Sequence, residues 1–151
     1  MFAAPQEEIV RIHASSGTTG KPIVAGYTQH DLQVWAEVVA RCLGCAGVDR
    51  TDTVQVAYGY GLFTGGLGLH YGVERIGGKV VPISAGHSKR QVMLMEDLGT
   101  TAIACTPSYA LMLGETMRDT NYDRSNHTLK TGLFGAEAWT DSMRHAIESL
   151  N

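Results

Sequence analysis

The chain contains little that would cross-link it, anchor it in a membrane or attract it to a polyanion. Its three cysteines are too few and odd in number for a disulfide framework, and the Cys42–Cys45 pair falls late in a helical pattern, where packing is the better interpretation than metal or redox chemistry. No apolar run approaches a membrane span, and no basic segment followed by an apolar one opens the chain. The net charge of -3 disfavours nucleic acid and anionic lipid as partners. We therefore expect a cytoplasmic protein.

Histidine spacing removes two further classes of site. None of the six histidines has another three or four positions away, so the sequence supports neither a zinc site nor a Ser-His-Asp triad, and no metal ligand is predicted. What the chain does have is glycine: 18 among 151 residues, against a usual share of about 7%. They cluster beside predicted strand ends, where ligands approach the backbone closely, which favours a binding site.

Strand and helix patterns alternate along a chain long enough for a single domain, 1–151. Strands are predicted at 9–14, 23–28, 53–57, 79–83, 101–105 and 129–134, with helices between most of them. Helix starts are predicted at Thr28 with Asp31, at Ser88 with Gln91, at Thr106 and at Thr140. The predicted fold class is α/β, with a largely parallel sheet and helices on both faces.

A loop rich in glycine and hydroxyl groups, residues 15–22, joins the first two strands. Its backbone N–H groups, hydroxyls and lysine are suited to holding a polyphosphate; the candidate phosphate-binding residues are Ser15, Ser16, Gly17, Thr18, Thr19, Gly20 and Lys21. It is not a P-loop, because two residues rather than four separate its glycines and Pro22 stands where a Ser or Thr is needed. A plain hairpin turn is the alternative interpretation.

An aromatic loop follows the third strand. Tyr58, Tyr60 and Phe63 alternate with glycines, so flat side chains could surround a flat ligand, although they could instead fill space beneath the loop. A rival hypothesis takes Gly59-x-Gly61 as part of a dinucleotide-binding fingerprint, with Ser84, Lys89 and Arg90 near a 2′-phosphate. Thr64 stands at the third glycine position, which argues against it.

The turn after the last strand carries Glu137. Its carboxylate could accept hydrogen bonds from an adenine amino group or a ribose, or be a solvated surface acid; its spacing does not separate the two.

Four segments in order resemble one family. SSGTTGKP at 15–22, YGYGLFTGGLGLHYGVERIGG at 58–78, TPSYAL at 106–111 and LKTGLFGAEAW at 129–139 closely resemble the phenylacetate–coenzyme A ligases of the acyl-adenylate-forming superfamily. The resemblance implies AMP-forming chemistry with ATP, Mg2+ and coenzyme A. It also implies that the chain covers part of the large amino-terminal domain of such an enzyme.

The resemblance also assigns roles to residues. It implies that residues 15–21 grip the ATP phosphates, with Thr18, Thr19 and Lys21 taking part in catalysis. Tyr58, Phe63, Tyr60 and Ala136 would enclose the phenyl ring, and Gly135, Ala136 and Glu137 would meet the adenine.

Departures from the family pattern limit what the chain would do alone. Ala138 stands where the family usually has proline, and we find no counterpart of the Tyr-Gly-x-x-Glu segment, the ribose-binding aspartate or the lysine-bearing mobile domain. We expect a fragment that turns over little by itself. A non-catalytic nucleotide- or aryl-binding module remains the alternative, and an exposed sheet edge leaves a homo-oligomer open.

Overall fold

The computed structural model describes residues 2–15, 20–120, 122–123, 125 and 127–149. Strands and helices alternate through it as the sequence predicts. After a short 3-10 turn at Gln6–Glu8, the elements are β1 (Ile9–Ala14), β2 (Val24–Thr28), α1 (Gln29–Cys45), β3 (Thr53–Val56), α2 (Gly65–Ile76), β4 (Lys79–Val81), α3 (Ser88–Asp97), β5 (Ala102–Cys105), α4 (Pro107–Asp119), β6 (Thr131–Phe134) and α5 (Asp141–Glu148).

The main sheet is parallel, in the order β4-β3-β5-β6. Its strands are one or two residues shorter than predicted; β4 ends at Val81, just before Pro82, which has no N–H to donate to the ladder. β4 lies on one side of β3 and β5 on the other, so the connections diverge at β3. Ligand crevices in such sheets open outside the carboxyl ends of strands at this switch point.

Helices cover both faces of this sheet, which confirms the predicted fold class. Alternate residues of a strand point to opposite faces, so Val54 and Val56 of β3 pack with Leu43 of α1 and Val73 of α2. Ile103 and Cys105 of β5 point to the opposite face and belong to a second cluster, under α3, α4 and α5. That cluster is Ala57, Val92, Met95, Ile103, Cys105, Ala110 and Leu113.

β1 and β2 form a separate antiparallel hairpin beside α1. Its anchor is His13, which is only 1% exposed. The imidazole meets the rings of Tyr27 and Trp35 edge-on, at 5.4 and 5.7 Å between centroids, and those two rings stack on each other at 5.3 Å. The hairpin is thereby packed onto the first turns of α1.

Helices α1 and α2 pack at a close crossing that depends on glycine. A Cβ on Gly68 would lie 2.6 Å from the Trp35 ring, and one on Gly72 would lie 2.4 Å from Val39. These two glycines are one helical turn apart, so they present a flat strip to α1.

Three of the four predicted helix starts are confirmed. The hydroxyls of Thr28, Thr106 and Thr140 each accept from the backbone N–H three residues on, and Thr28 forms a full capping box with Asp31. None of the helices in the described part of the chain is long and apolar enough to cross a bilayer.

The predicted cap at Ser88 is wrong. His87 occupies the N-cap of α3 with φ 54°, and no side chain caps that helix end. The chain enters α3 from a left-handed loop, so helical geometry already includes Ser88. Gln91 points its amide back into that loop instead.

Candidate active site

The aromatic loop and the turn after β6 meet at the carboxyl ends of β3, β5 and β6. The Tyr58 hydroxyl, at the end of β3, donates to the carbonyl of Cys105 at 2.6 Å and lies 3.1 Å from that of Gly135. It has one hydrogen to donate, so the shorter contact is the main bond. One side chain thus ties three strand ends together. Burial raises the pKa of Tyr58, with the charges of Cys105 and Glu137 adding to the effect, so the hydroxyl stays a donor.

The base of the loop between β1 and β2 is fastened to the aromatic loop. Ser15 and Ile23 close the base reciprocally: the Ser15 N–H donates to the Ile23 carbonyl and the Ile23 N–H to the Ser15 hydroxyl, both at 2.9 Å. The carbonyl of Leu62 accepts from the Ala14 N–H at 2.9 Å, and the His13 Nδ1 lies 2.9 Å from the same oxygen. The candidate phosphate-binding loop and the candidate aryl pocket are therefore neighbours.

Four of the predicted phosphate-binding residues form the middle of that loop in the sequence. Ser16, Gly17, Thr18 and Thr19 lie outside the described residues. Gly20 has φ 149°, a conformation that L side chains rarely adopt, and Lys21 is exposed.

A cavity of about 370 Å³ lies where these loops converge, at the switch point of the sheet. The aromatic loop contributes Tyr58 and Phe63 to it, and the turn after β6 contributes Ala136. Phe63 is 52% exposed, so much of its ring is available to a ligand. The full lining is Ala57, Tyr58, Gly59, Phe63, Ala85, Thr106, Ser108, Tyr109, Met112 and Ala136.

Tyr60 is not brought to this cavity. Its ring packs edge-on against His70 of α2 at 5.9 Å between centroids, with the hydroxyl 3.4 Å from Nδ1. Burial, with a contribution from Glu74, raises the pKa of Tyr60 to about 12. Packing against α2 explains the difference: Tyr58 and Phe63 line the cavity, whereas the Tyr60 ring is held against His70 on the other side of the loop.

The turn after β6 is exposed, as predicted, and Ala136 adopts φ 68° there. Glu137 is exposed but its carboxylate is bonded: Oε1 accepts from the backbone N–H of Ser108 at 2.6 Å. This N–H is in the first turn of α4, where the helix dipole favours a carboxylate. The turn is thereby held against the start of α4.

Sequence reasoning missed one wall of the cavity. Ala85 follows β4, and Tyr109 and Met112 belong to the first two turns of α4. Only their position in the chain could have indicated them: segments that directly follow parallel strands lie at the same edge of the sheet, where the cavity opens. Small or ordinary residues at those positions carried no chemical signal of their own.

A second cavity, of about 400 Å³, lies along β6 between α4 and α5. It is slightly larger but lies beside the strand rather than beyond its carboxyl end, and none of the predicted site residues lines it. No group of three or more His, Cys, Asp or Glu among the described residues could hold a metal ion. The switch-point cavity is therefore the better candidate site.

The dinucleotide hypothesis does not fit the loop geometry. In that fingerprint the glycines lead directly into the helix, whereas α2 starts only at Gly65, well after Gly59 and Gly61. The helix approaches the loop closely at Gly66, where a Cβ would lie 2.8 Å from the Gly59 carbonyl oxygen.

Comparisons with known proteins agree on one group of relatives, although no family model matches the chain. It is 55% identical over 148 residues to the phenylacetate-coenzyme A ligase of Pseudomonas putida, covering 98% of this chain and 34% of that protein. The corresponding enzyme of Escherichia coli K12 gives 55% over 148 residues, with 97% and 34% covered. The chain thus spans about one third of the length of these curated relatives.

Among solved structures, a 2-hydroxyisobutyryl-CoA ligase in complex with 2-HIB-AMP and CoA superimposes with a TM-score of 0.91. Its sequence is 32% identical, and the match covers 97% of this chain and 32% of that one. The fold is that of the adenylate-forming CoA ligases.

Proposed function

We propose that the chain forms the acid-recognition and phosphate-binding part of a phenylacetate-coenzyme A ligase. Nearly the whole chain aligns with a segment that makes up about one third of the length of these enzymes. The reaction of the whole enzyme would be the ATP-dependent, AMP-forming ligation of phenylacetate, or a close aryl acid, to coenzyme A. Phenylacetate catabolism is the setting in which this activity is used.

One observation supports this proposal more than any other. The three loops that the reaction would need contact one another beside a single cavity: the Ala14 N–H donates to the Leu62 carbonyl, and the Tyr58 hydroxyl lies 3.1 Å from the Gly135 carbonyl. A ring in the cavity would lie beside Phe63 and Ala136, and the Ala14–Leu62 hydrogen bond holds the end of β1 to the aromatic loop. Aryl acid and ATP would then meet in fixed orientation, which is the main contribution of such a site.

In the proposed first step, a carboxylate oxygen of phenylacetate attacks the α-phosphorus of ATP. The bond between that phosphorus and the bridging oxygen to the β-phosphate breaks, and pyrophosphate leaves with the electron pair. The ammonium of Lys21 and backbone N–H groups of its loop would stabilise the charge that shifts onto pyrophosphate. In the second step the coenzyme A thiolate adds to the acyl carbonyl and AMP leaves, which yields the thioester.

The nucleotide base would lie at the turn after β6. Gly135 and Ala136 leave its backbone open, and Glu137 offers a carboxylate that already orients toward the start of α4. Magnesium would accompany the ATP phosphates, whose oxygens are ligands of the kind that it prefers. A binding module without catalysis is the alternative, and it would use the same cavity.

A calorimetric titration with a non-reactive phenylacetyl-adenylate mimic tests the proposal. We expect saturable binding by the chain and a loss of about tenfold or more in affinity for Phe63→Ala, because the ring forms an open wall of the cavity. Leu62→Ala is the matched control: it truncates a neighbouring side chain that is 65% exposed and is not part of the lining. Equal effects of the two substitutions, or no binding by folded protein, would contradict the assignment.

A further inference from the structure

The loop between β4 and α3 is backbone-strained and lies against the candidate site. Ser84, Gly86 and His87 have φ values of 68°, 87° and 54°, and two of these three are not glycine. Such conformations persist only where the surroundings enforce them. Ala85, between them, lines the switch-point cavity.

A buried glutamine enforces this conformation. Gln91 is fully buried, and its Nε2 donates to the carbonyl of Ser84 at 2.9 Å and to that of Gly86 at 3.0 Å. Both amide hydrogens are used on the carbonyls of the two residues that flank Ala85. The side chain therefore grips the loop on either side of its cavity-lining residue.

The amide of Gln91 is itself held in one orientation. Its Oε1 accepts from Nε2 of Gln55 on β3 at 2.9 Å, and the Gln55 Oε1 accepts from the Thr100 hydroxyl at 3.3 Å. All three side chains are at most 1% exposed. This relay fixes the loop to the central strand, since a flipped amide would turn its oxygen toward the Ser84 and Gly86 carbonyls and remove the donor that Gln91 gives each of them.

The opposite side of the loop is held from the cavity wall. The hydroxyl of Tyr109, a lining residue, donates to the same Gly86 carbonyl at 2.8 Å. The loop therefore has a fixed distance to α4, and the width of the cavity between Ala85 and Tyr109 depends on these bonds.

From these contacts we propose that Gln91 is a positioning residue that sets the wall at Ala85 and thereby the selectivity of the cavity for the substituents of an aryl ring. The inference rests on the proposed function. Gln91 touches no substrate; it acts through the loop. Without its two donors the strained backbone relaxes and the wall moves, so the fit to an unsubstituted ring weakens while a larger ring is excluded less strictly.

The test compares two adenylate mimics, phenylacetyl and 4-methylphenylacetyl, by calorimetry on the whole chain. Gln91→Met keeps the length of the side chain and removes its donors. We expect Gln91→Met to bind the phenylacetyl mimic about tenfold more weakly. The ratio of its affinity for the phenylacetyl mimic to that for the methylated mimic should fall by about threefold or more. Amide exchange at Ser84, whose N–H donates to the Val56 carbonyl at 3.2 Å, should accelerate in the same variant, even without ligand.

The control is Asp52→Asn, at the amino edge of the same sheet. Asp52 is as buried as Gln91 and accepts from the hydroxyl of Thr101 at 2.8 Å, but it lies at the opposite end of the strands from the cavity. Its loss should reduce stability and leave the ratio of the two affinities unchanged. A purely structural role for Gln91 would give the same pattern as this control.

The outcomes separate the inference from the proposed function. If the unmodified chain binds neither mimic, the assignment of the cavity fails and the inference fails with it. If the unmodified chain binds but Gln91→Met keeps the affinity ratio and the exchange rates, the inference alone is overturned. Should Gln91→Met not fold, Gln55→Met frees the amide without removing it and must shift the ratio in the same direction.

Discussion

Replacing Tyr58 with Phe removes one oxygen atom from the point where three strand ends meet. The ring stays in the cavity wall, so the change isolates the hydroxyl. In the structure that hydroxyl donates to the Cys105 carbonyl at 2.6 Å and lies 3.1 Å from the Gly135 carbonyl. The first contact is short, and Cys105 itself is fully buried.

The expected loss of stability follows from the one hydrogen bond that the Tyr58 hydroxyl can donate. A net intramolecular hydrogen bond contributes about 0.5–1.5 kcal/mol, and an acceptor left unpaired in a buried position costs about 1–3 kcal/mol. Because Tyr58 is only partly buried, we expect Tyr58→Phe to lower the free energy of unfolding by about 1–2 kcal/mol. The turn at Gly135 loses one of its ties, so affinity for the phenylacetyl-adenylate mimic should also fall, by about fivefold.

Urea unfolding followed by circular dichroism measures the first quantity, and calorimetry the second. Tyr60→Phe is the control: it removes the same atom from the same loop, but that hydroxyl lies 3.4 Å from His70 Nδ1 and the ring is outside the cavity. We expect its effect on stability to stay below about 0.5 kcal/mol, because so long a contact contributes little. Equal losses in the two variants would refute the view that Tyr58 fastens the strand ends.

Three further substitutions test the fold and its charges. Gly68→Ala should lower the free energy of unfolding by about 1–3 kcal/mol in a urea titration, because the added Cβ would lie 2.6 Å from the Trp35 indole of α1. Gly44→Ala is the control: its Cβ would have nothing within 4 Å, so the same titration should find it neutral or stabilising. Burial raises the pKa of Tyr60 from 10.0 to about 12, so the folded state holds that proton more tightly; stability should fall as pH rises through this window, and less steeply in Tyr60→Phe. Burial alone would raise the pKa of Asp52, but hydrogen bonds led by that from Lys130 lower it overall. Lys130→Met should therefore lower the free energy of unfolding at neutral pH, because it leaves the buried Asp52 carboxylate without its cation. In thermal melts this effect should diminish below the ordinary pKa of 3.8, where the carboxyl is protonated.

The sequence determined the elements and the general position of the site. Alternating patterns of period two and 3.6 identified the strands and helices, because burial of one face imposes those periods regardless of partner. Thr28, Thr106 and Thr140 identified helix starts, since a cap is formed within four residues of chain. The aromatic residues and glycines after β3 indicated a cavity there, and Tyr58 and Phe63 do line it.

Tertiary structure decided what depends on residues far apart in the chain. Nothing local separates Tyr60 from Phe63, yet α2 draws the first ring away toward His70. The pattern at Ser88 and Gln91 is that of a helix cap, but the backbone enters α3 through a left-handed loop, and the glutamine amide bonds that loop and Gln55 of β3 instead. Order in the sheet, the wall formed by α4 and the tie between strand ends all arise from long-range packing, which local propensity does not encode.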